Sequence, residues 1–477
     1  MVKRKQLPFG VYNVMLCLLV TAVFVLGVMC IQEAENRWYL KLDVSDDQVS
    51  KLSEYTLSRL EALEEDVTLH LVHRPGSSTL HDLQQETLLK MAAVCPRIRL
   101  TTIDPEAQPH LLLALNGDAA GVTDGTVFVQ NQNATRTVRI DADEFLFARR
   151  IGTEQYTIYC GEAMLIGGID RAVDEDPASV WFIHGHGEPE EEALAQVMLQ
   201  CRAMGLEVRS GSLTLMSPRE GDVLALIGPE TDLTNAETEL IKTWLNNGVH
   251  LITACGADTP IDRLGNLQAL MDLYGLSFLA GWTVENAAET AFFVDEPSMI
   301  SPALAADNGV LDVLPGRLIL PRACALAEPA LRPGVTVKQL LTTSDSALRK
   351  RNVNAAAYAA EEGDISGAAP LAILAEANGS YLLQLASVQM LLSTAEADGA
   401  YIVDASENLA FLTACLEKMT DTGEGATLDA GVKQLATQLI TFPSQQERQR
   451  VSAVLMGFWP VLLTLAMLIV IIRRRRL

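Results

Sequence analysis

Two uncharged hydrophobic stretches, one near each end, most constrain what this chain can fold into. The first, Phe9 to Ile31, follows the basic run Lys3 to Lys5, and the second, Ala453 to Ile472, precedes Arg473 to Arg476. Each has about 20 residues or more, enough at ~1.5 Å per residue for a helix to cross the ~30 Å core of a bilayer. Because basic flanks stay in the cytoplasm, we expect a two-pass cell-membrane protein with cytoplasmic termini and an extracytoplasmic body.

Two other interpretations of the first stretch remain open. A short basic segment before an apolar run is also typical of a cleaved signal peptide. No clear Ala-x-Ala-like site follows, so we favour retention of residues 1–31 as a transmembrane helix. Lipoprotein cleavage before Cys30 is less favoured, because Met29 is bulky where a small residue is expected.

The body between the two stretches is strongly acidic. Seven of the 36 basic residues lie in the terminal flanks, which leaves 29 basic residues against 60 acidic ones, a net charge of −31. This charge argues against nucleic acid as a partner, since nucleic acid needs a basic surface. It also argues against flat docking on anionic lipid. Solubility is the simpler role of the acidity, and an acidic groove for a cationic ligand is the sharper alternative.

Six cysteines lie outside the hydrophobic stretches, widely spaced and without a CxxC pair. An even number permits disulfides, but this spacing is typical of isolated residues in helices and strands. We therefore expect mostly buried thiols outside disulfides at Cys95, Cys160, Cys201, Cys255, Cys324 and Cys415.

Residues 32–153 are predicted to form a small α/β domain. The hydrophobic patterns predict helix 46–65, strand 66–73, helix 79–94, strand 97–103 and a hairpin of 126–130 with 135–140. Strand, helix, strand and hairpin is a thioredoxin-like order. The CxxC motif of thioredoxin redox chemistry is absent.

Residues 154–445 are predicted to form a second α/β domain, which alternates strands and helices. The predicted elements are strand 180–183, helix 190–204, strand 223–227, a helix opened by the capping box Thr234/Glu237, strand 249–254 and helix 264–274. This rhythm predicts a doubly wound parallel sheet of amidotransferase or flavodoxin type. Further strands are predicted at 371–374 and 381–385, and an insertion at about 285–365. The fold class is thus α/β, with two domains flanked by transmembrane helices in residues 1–31 and 446–477.

The segment His184-Gly185-His186-Gly187-Glu188 is the candidate site. It follows a predicted parallel strand at the edge where open α/β sheets bind ligands, and its glycines permit positive φ angles. One interpretation is a structural turn, in which His186 and Glu188 hydrogen-bond the loop and cap a helix. A second is a ligand or partner contact, and a third is zinc ligation. We take these five residues as a ligand- or partner-binding site and expect no metal and no cofactor.

Enzyme signatures are missing from the sequence. Cys255 follows a strand as a nucleophile would, but an amidotransferase-type cysteine needs a downstream histidine, and no histidine follows His250. There is no G-x-S-x-G, Walker A or G-x-G-x-x-G motif. We expect a non-enzyme that does not hydrolyse ATP itself.

These motifs resemble the GldG-like family, the auxiliary components of ABC transport systems named after gliding motility. Gly185 to Glu188 is similar to the family's Thr-Gly-His-Gly-Glu signature, with His184 where threonine is usual. Other similar segments are Asp46 to Leu63, Ile103-Asp104-Pro105, Asp222 to Pro229, Val249 to Thr253, Leu267 to Gly275 and Phe442 to Arg476.

The resemblance implies a non-catalytic, membrane-anchored accessory subunit. Its partners would be an ABC permease and ATPase on separate chains, and the bilayer through its two helices. The family has no established catalytic residues to carry over. The alternatives are an extracytoplasmic metal-dependent or nucleophilic hydrolase at His184, His186 and Glu188, and a free-standing cell-surface binding protein.

Overall fold

The computed structural model describes residues 51–74, 79–117, 121–151, 154–285, 291–293, 296–311, 317–352, 360–393, 407–421, 428 and 430–435. Within these ranges no helix has both the length and the apolar character needed to cross a membrane. This finding corrects the predicted fold class, which included two flanking transmembrane helices. The described chain is a mixed α/β structure with six sheets. The two stretches behind that prediction, 9–31 and 453–472, lie outside the described residues.

The first part of the described chain builds a four-stranded sheet. Its elements are α1 (Glu54–Glu61), β1 (Val67–Val72), α2 (Thr79–Val94), β2 (Ile98–Ile103), α3 (Pro109–Asn116), β3 (Val127–Asn131) and β4 (Thr137–Ile140). The sheet order is β2-β1-β3-β4, with β1 parallel to β2 and antiparallel to β3. The alternating apolar residues that predict a strand at 66–73 are the buried residues of β1. Leu69 and Leu71 are fully enclosed in the core of this layer.

A small antiparallel sheet and a buried helix join this layer to the rest. The elements are β5 (Leu146–Ile151), β6 (Glu154–Tyr159) and α4 (Gly161–Val173). Helix α4 packs on β3 and β4, so the start of the predicted second domain shares the core of the first layer. A Cβ atom at Gly167 would collide with the backbone oxygen of Arg202. Glycine at this position therefore permits the close approach of α4 to the helix that carries Arg202.

The larger layer is an eight-stranded sheet. Its elements are β7 (Ser179–Ile183), α5 (Ala195–Ala203), β8 (Glu207–Gly211), β9 (Val223–Ile227), α6 (Asn235–Asn246), β10 (His250–Ala254), α7 (Gly265–Leu273), β15 (Ala303–Leu304), β18 (Val335–Thr342), β21 (Pro370–Ala377), β22 (Ser380–Leu385) and α8 (Asn408–Thr420). The order is β15-β18-β21-β22-β10-β9-β7-β8.

Only five strands of this sheet, β8, β7, β9, β10 and β22, are mutually parallel. The strands β21, β18 and β15 continue it in antiparallel fashion. The prediction of a parallel sheet is therefore corrected on this side. The cause is local, because Asn378 and Gly379, both with positive φ, form the two-residue turn that makes β21 and β22 a hairpin.

Helices cover both faces of this sheet. Ser380 and Tyr381 are adjacent on β22 and so point to opposite faces. The hydroxyl of Ser380 lies 3.2 Å from that of Tyr274 at the end of α7, while the ammonium of Lys418 on α8 lies 5.8 Å from the ring centre of Tyr381. Helices α7 and α8 therefore lie on opposite sides of the sheet.

The described parts of the predicted insertion at 285–365, with their flanks, form short strands in small sheets. These are β11 (Phe278–Leu279), β12 (Trp282–Val284), β13 (Ala291–Phe293), β14 (Glu296–Ile300), β16 (Leu320–Pro321), β17 (Ala325–Leu326), β19 (Leu348–Lys350) and β20 (Ile365–Ser366). The insertion also contains β15 and β18, which belong to the large sheet.

The last described strand, β23 (Lys433–Leu435), pairs with β6. Its Lys433 ammonium lies 3.6 Å from Oε1 of the fully buried Glu162 on α4. The other oxygen of Glu162 accepts hydrogen bonds from the Ser53 N–H at 2.8 Å and the Thr56 hydroxyl at 2.9 Å. One carboxylate therefore holds the first and last described segments together.

All six predicted cysteines are buried, and none forms a disulfide within the described chain. The prediction of buried thiols in place of a disulfide framework is confirmed.

Candidate functional site

The candidate site lies at the carboxyl edge of the parallel strands. Strands β7 and β9 are neighbours in the sheet, with β8 beyond β7 and β10 beyond β9. The chain leaves β7 towards β8 on one side and leaves β9 towards β10 on the other side. The loops after β7 and β9 therefore flank the point where the strand order reverses, which is where open α/β sheets form a ligand crevice. The segment His184 to Glu188 is the first of these loops.

The two glycines of this segment adopt backbone angles that other residues avoid. Gly185 has φ +122° and Gly187 has φ +88°. A Cβ atom at Gly187 would also lie 2.8 Å from Cβ of Glu230, in the loop after β9. The predicted positive φ is thus present at both glycines, and Gly187 lets the two loops touch.

His186 fills the crevice between the two loops. Its side chain is 8 % exposed, with Nδ1 3.2 Å from Oε1 of Glu188 and Nε2 3.3 Å from Oε2 of Glu237. Its backbone N–H donates to Oε2 of Glu188 at 2.7 Å. Its carbonyl oxygen accepts from the N–H groups of Glu230 at 2.8 Å and Thr231 at 2.9 Å. The two loops are therefore joined through both the side chain and the backbone of one histidine.

Glu237 belongs to the capping box that opens α6. The carboxylate of Glu237 accepts from the backbone N–H and the hydroxyl of Thr234, at 2.8 and 2.7 Å. A carboxylate in the first turn of a helix is stabilised by the helix dipole. The same group therefore caps the helix and receives the His186 ring.

The electrostatics of this trio favour a protonated histidine. The hydrogen bond to Glu188 raises the pKa of His186 above its ordinary value of 6.5, and Glu237 adds to the effect. Burial acts to raise the pKa of Glu188, but the bonds from His186 outweigh it and the pKa falls below 4.5. A protonated ring donates from both nitrogens, so both are used within the chain.

His184 does not join this trio. Its N–H donates to the Gly211 carbonyl at 2.9 Å, and its Nε2 lies 3.8 Å from Glu191. An open groove of about 380 Å³ is lined by His184 and Glu191 together with residues Gly185, Gly187, Glu188, Glu190 and Glu192. The structure thus brings His186 and Glu188 together and separates His184 from them. Among the residues that the structure describes, no group of three His, Cys, Asp or Glu side chains could hold a metal ion.

The contribution of Glu237 and Glu230 was not foreseen from the sequence. Glu237 is recognisable there only as the N3 member of a capping box. Glu230 comes directly after Gly228-Pro229, the turn that ends a buried strand, and this position on the neighbouring loop is the one signal that points to it.

Cys255 is enclosed by apolar neighbours. Burial raises the pKa of its thiol well above 9.0, with Cys324 adding to the shift. Because the thiolate is the reactive form of cysteine, this position favours an unreactive thiol.

A second cleft of about 290 Å³ runs along the same edge of the sheet, beyond His186. Three of its wall residues, Gly187, Gly228 and Gly256, follow β7, β9 and β10. The other walls are Pro189, Glu230, Asp258, Thr259, Arg322, Val388, Gln389 and Leu392. The guanidinium of Arg322 donates to both carboxylate oxygens of Asp258, at 2.6 and 2.7 Å.

No family model and no curated protein matches the chain. Among solved structures it is similar to the mmIFT52 N-terminal domain, at 16 % identity and a TM-score of 0.39, over 52 % of this chain and all of that one. It is also similar to an exo-β-1,4-mannosidase, Op5Man5 from Opitutaceae bacterium strain TAV5, at 12 % identity and a TM-score of 0.27, over 72 % of this chain and 48 % of that one.

A further similar structure is α-L-fucosidase isoenzyme 2 from Paenibacillus thiaminolyticus. It has 12 % identity and a TM-score of 0.31, over 54 % of this chain and 35 % of the fucosidase. Likenesses at these TM-scores carry no argument about function.

Proposed function

We propose that this chain is a non-catalytic accessory subunit of an ABC transporter, which acts by contact with a permease and an ATPase on separate chains. The class of partner rests on the resemblance to the GldG-like family. We propose a role without catalysis because of what occupies the crevice at the sheet edge. An α/β enzyme of this type would place its catalytic residues at that position.

The observation that carries the proposal is the pairing of both ring nitrogens of His186 with carboxylates, at 3.2 and 3.3 Å. A general base or a metal ligand needs an available nitrogen aimed at its target. Here the ring fills the crevice and connects the loops, so the edge offers a preformed surface without an available ring nitrogen. A preformed surface suits recognition of another protein.

The hydrolase alternative meets two obstacles in the described residues. His184, His186 and Glu188 do not converge on one point, since His184 lies against Glu191. Cys255, the other candidate nucleophile, is buried with a raised pKa. Both observations favour a binding role over hydrolysis.

Affinity purification of the tagged full-length chain after in-cell cross-linking, followed by mass spectrometry, tests the proposal. We expect an ABC permease or ATPase to be enriched over an unrelated tagged bait. Recovery of no ABC subunit would contradict the proposal and favour a free-standing binding protein. Stoichiometric zinc in the purified protein, lost in His186→Ala, would contradict it in favour of the hydrolase.

A further inference from the structure

Strand β2 is an open edge of the four-stranded sheet. It ends the order β2-β1-β3-β4, and within the described chain only β1 and helix α2 pack extensively against it. We propose that β2 pairs antiparallel with β2 of a second copy of this chain, so that the protein forms a homodimer. This inference does not depend on the proposed function, which concerns the edge of the other sheet.

The backbone groups on the outer side of β2 are available for such pairing. The N–H of Val67 on β1 donates to the carbonyl of Arg97 at 2.9 Å, and the parallel register of β1 with β2 continues without a break. The odd-numbered residues of β2 therefore bond to β1. Leu100 and Thr102 direct their N–H and C=O groups away from it, because backbone groups alternate in direction along a strand.

Strand β2 lacks the features that usually protect an edge strand. Its six residues, Ile98–Ile103, contain no proline, and its pairing with β1 shows no bulge. Isoleucine and threonine, four of the six residues, are β-branched and favour an extended backbone. Thr101 and Thr102 are exposed. An edge of this kind is a template for pairing with another strand.

The charges at the two ends of β2 match a second copy in the antiparallel direction. Arg97 and Arg99 lie at its start and share one carboxylate, that of Asp66, at 3.8 and 3.7 Å. Asp104 and Glu106 follow its end and form no ion pair with the described residues. Antiparallel pairing places the basic start of each strand beside the acidic end of the other, whereas parallel pairing would place like charges together. This polarity is why we assign the edge to a second copy.

One antiparallel register uses all the outward groups of Leu100 and Thr102. With Thr101 on the twofold axis, Leu100 of each copy lies opposite Thr102 of the other, and each such pair exchanges two hydrogen bonds. Moving the axis to Leu100 would place Thr102 opposite Ile98, whose N–H already donates to Cys95 at 3.1 Å. The register centred on Thr101 is therefore preferred.

The paired strands are short, so the dimer should be weak. Six residues extend about 20 Å, and a single strand pair buries less than the ~800 Å² per partner that is usual for a stable complex. We therefore expect self-association that depends on protein concentration.

A cysteine at the predicted axis tests both the pairing and its register. In a Cys17→Ser/Cys30→Ser background, Thr101→Cys places two cysteines opposite each other with Cα atoms about 4.5 Å apart, within the range of a disulfide. Copper-phenanthroline oxidation of the full-length protein should then give a covalent dimer. Arg99→Cys is the matched control on the same strand. It should cross-link much less, because its two copies would lie more than about 13 Å apart.

Two further variants test the hydrogen bonds and the charges. Thr102→Pro removes an N–H that faces away from β1, and proline is tolerated on edge strands. Its thermal melting should stay near that of wild type, while sedimentation velocity should show loss of the dimer. Glu106→Lys should weaken the dimer at low salt, where exposed charges act most strongly. Glu376→Lys, the same change of charge at an exposed position on β21, should behave as wild type does.

Four results would overturn the proposal. The first is a full-length chain that stays monomeric at the highest concentration, and the second is equal cross-linking of Thr101→Cys and Arg99→Cys. The third is an unaltered dimer in Thr102→Pro. The fourth is slow hydrogen exchange of the Leu100 and Thr102 amides in a dilute, monomeric sample, which would show that another segment of this chain covers the edge.

Discussion

His186 is a linking residue whose removal leaves two acidic groups without their partner. Glu188 has a 2 % exposed side chain. Without the imidazole its carboxylate keeps the backbone N–H of residue 186 but loses its charged partner. His184, by contrast, is half-buried and has one acidic neighbour at 3.8 Å. Loss of the His186 side chain should therefore destabilise the fold more than loss of the His184 side chain.

We predict that His186→Ala destabilises the fold by about 1–3 kcal/mol, because it leaves hydrogen-bonded buried charge unpaired. Gly187→Val should cost a similar amount, about 1–3 kcal/mol, through its positive φ and the contact with Glu230. His184→Ala is the control and should change stability much less. Urea unfolding of the three variants checks the order. A neutral His186→Ala would refute the linking role and return His186 to the candidates for direct partner contact.

The contributions of His186 and His250 to the stability of the fold should change with pH in opposite directions. Because Glu188 and Glu237 raise the pKa of His186, its stabilisation is present below its unfolded pKa of about 6.5 and is lost as the pH rises through the raised value. Burial lowers the pKa of His250 to about 4, and its Nδ1 accepts the Tyr381 N–H at 3.1 Å. Its stabilisation is present above about 6.5 and is lost as the pH falls towards 4.

Melting temperatures from pH 4 to 9 measure this difference. The gap between wild type and His186→Gln should shrink as the pH rises, and the gap between wild type and His250→Asn should shrink as the pH falls. Parallel curves for the two variants would show that neither ring titrates as the contacts imply.

Strand β23 pairs with β6 and also carries a buried ion pair between Lys433 and Glu162. Lys433 is 5 % exposed and Glu162 is fully buried. Loss of either charge therefore leaves the other one unpaired in the core. The pKa of Lys433 is lowered by burial, with Glu162 acting against that shift.

We predict that Lys433→Ala costs about 3–5 kcal/mol, the usual result of breaking a buried pair from one side. Hydrogen exchange should then accelerate in β6 and around Ser53, and the double variant Lys433→Met/Glu162→Gln should recover part of the loss. Lys242→Ala, on the surface of α6, serves as the control. If exchange in β6 is unchanged in Lys433→Ala, β23 does not depend on the pair.

Element positions could largely be predicted from the sequence, since apolar alternation and capping residues act locally. The capping box at Thr234 and the strand 223–227 are examples. The turn Asn378-Gly379 is a local signal for the hairpin of β21 with β22. The addition of β18 and β15 beyond β21 could not be predicted, because these pairs join separate segments of the chain. Within the site, the glycine angles follow from local chemistry. The meeting of His186 with Glu237 depends on the packing of two loops, and no local pattern encodes it.

Across the whole protein, the six described cysteines are held in apolar surroundings. Burial raises the pKa of Cys201 to about 12, and it also raises the pKa values of Cys324 and Cys415. Thiols of this kind are protonated and poorly nucleophilic at neutral pH.

We predict that a Cys17→Ser/Cys30→Ser variant shows almost no reaction with an aromatic disulfide reagent when folded, and six reactive thiols in concentrated urea. Absorbance of the released thiolate counts them. Rapid reaction of the folded protein would show that one of these cysteines is accessible, and mass spectrometry of the adduct would identify it.

The shared contact of Ser53, Thr56 and Lys433 with Glu162 has a mechanical consequence. When the first and last described segments are pulled apart, the contacts of Glu162 bear the force before the eight-stranded sheet does. The small sheet of β5, β6 and β23 would therefore yield first, and the surface at the end of β7 would keep its shape under load. In single-molecule pulling, this arrangement gives an early, short extension of the chain before the main rupture, and the early event disappears in Lys433→Ala.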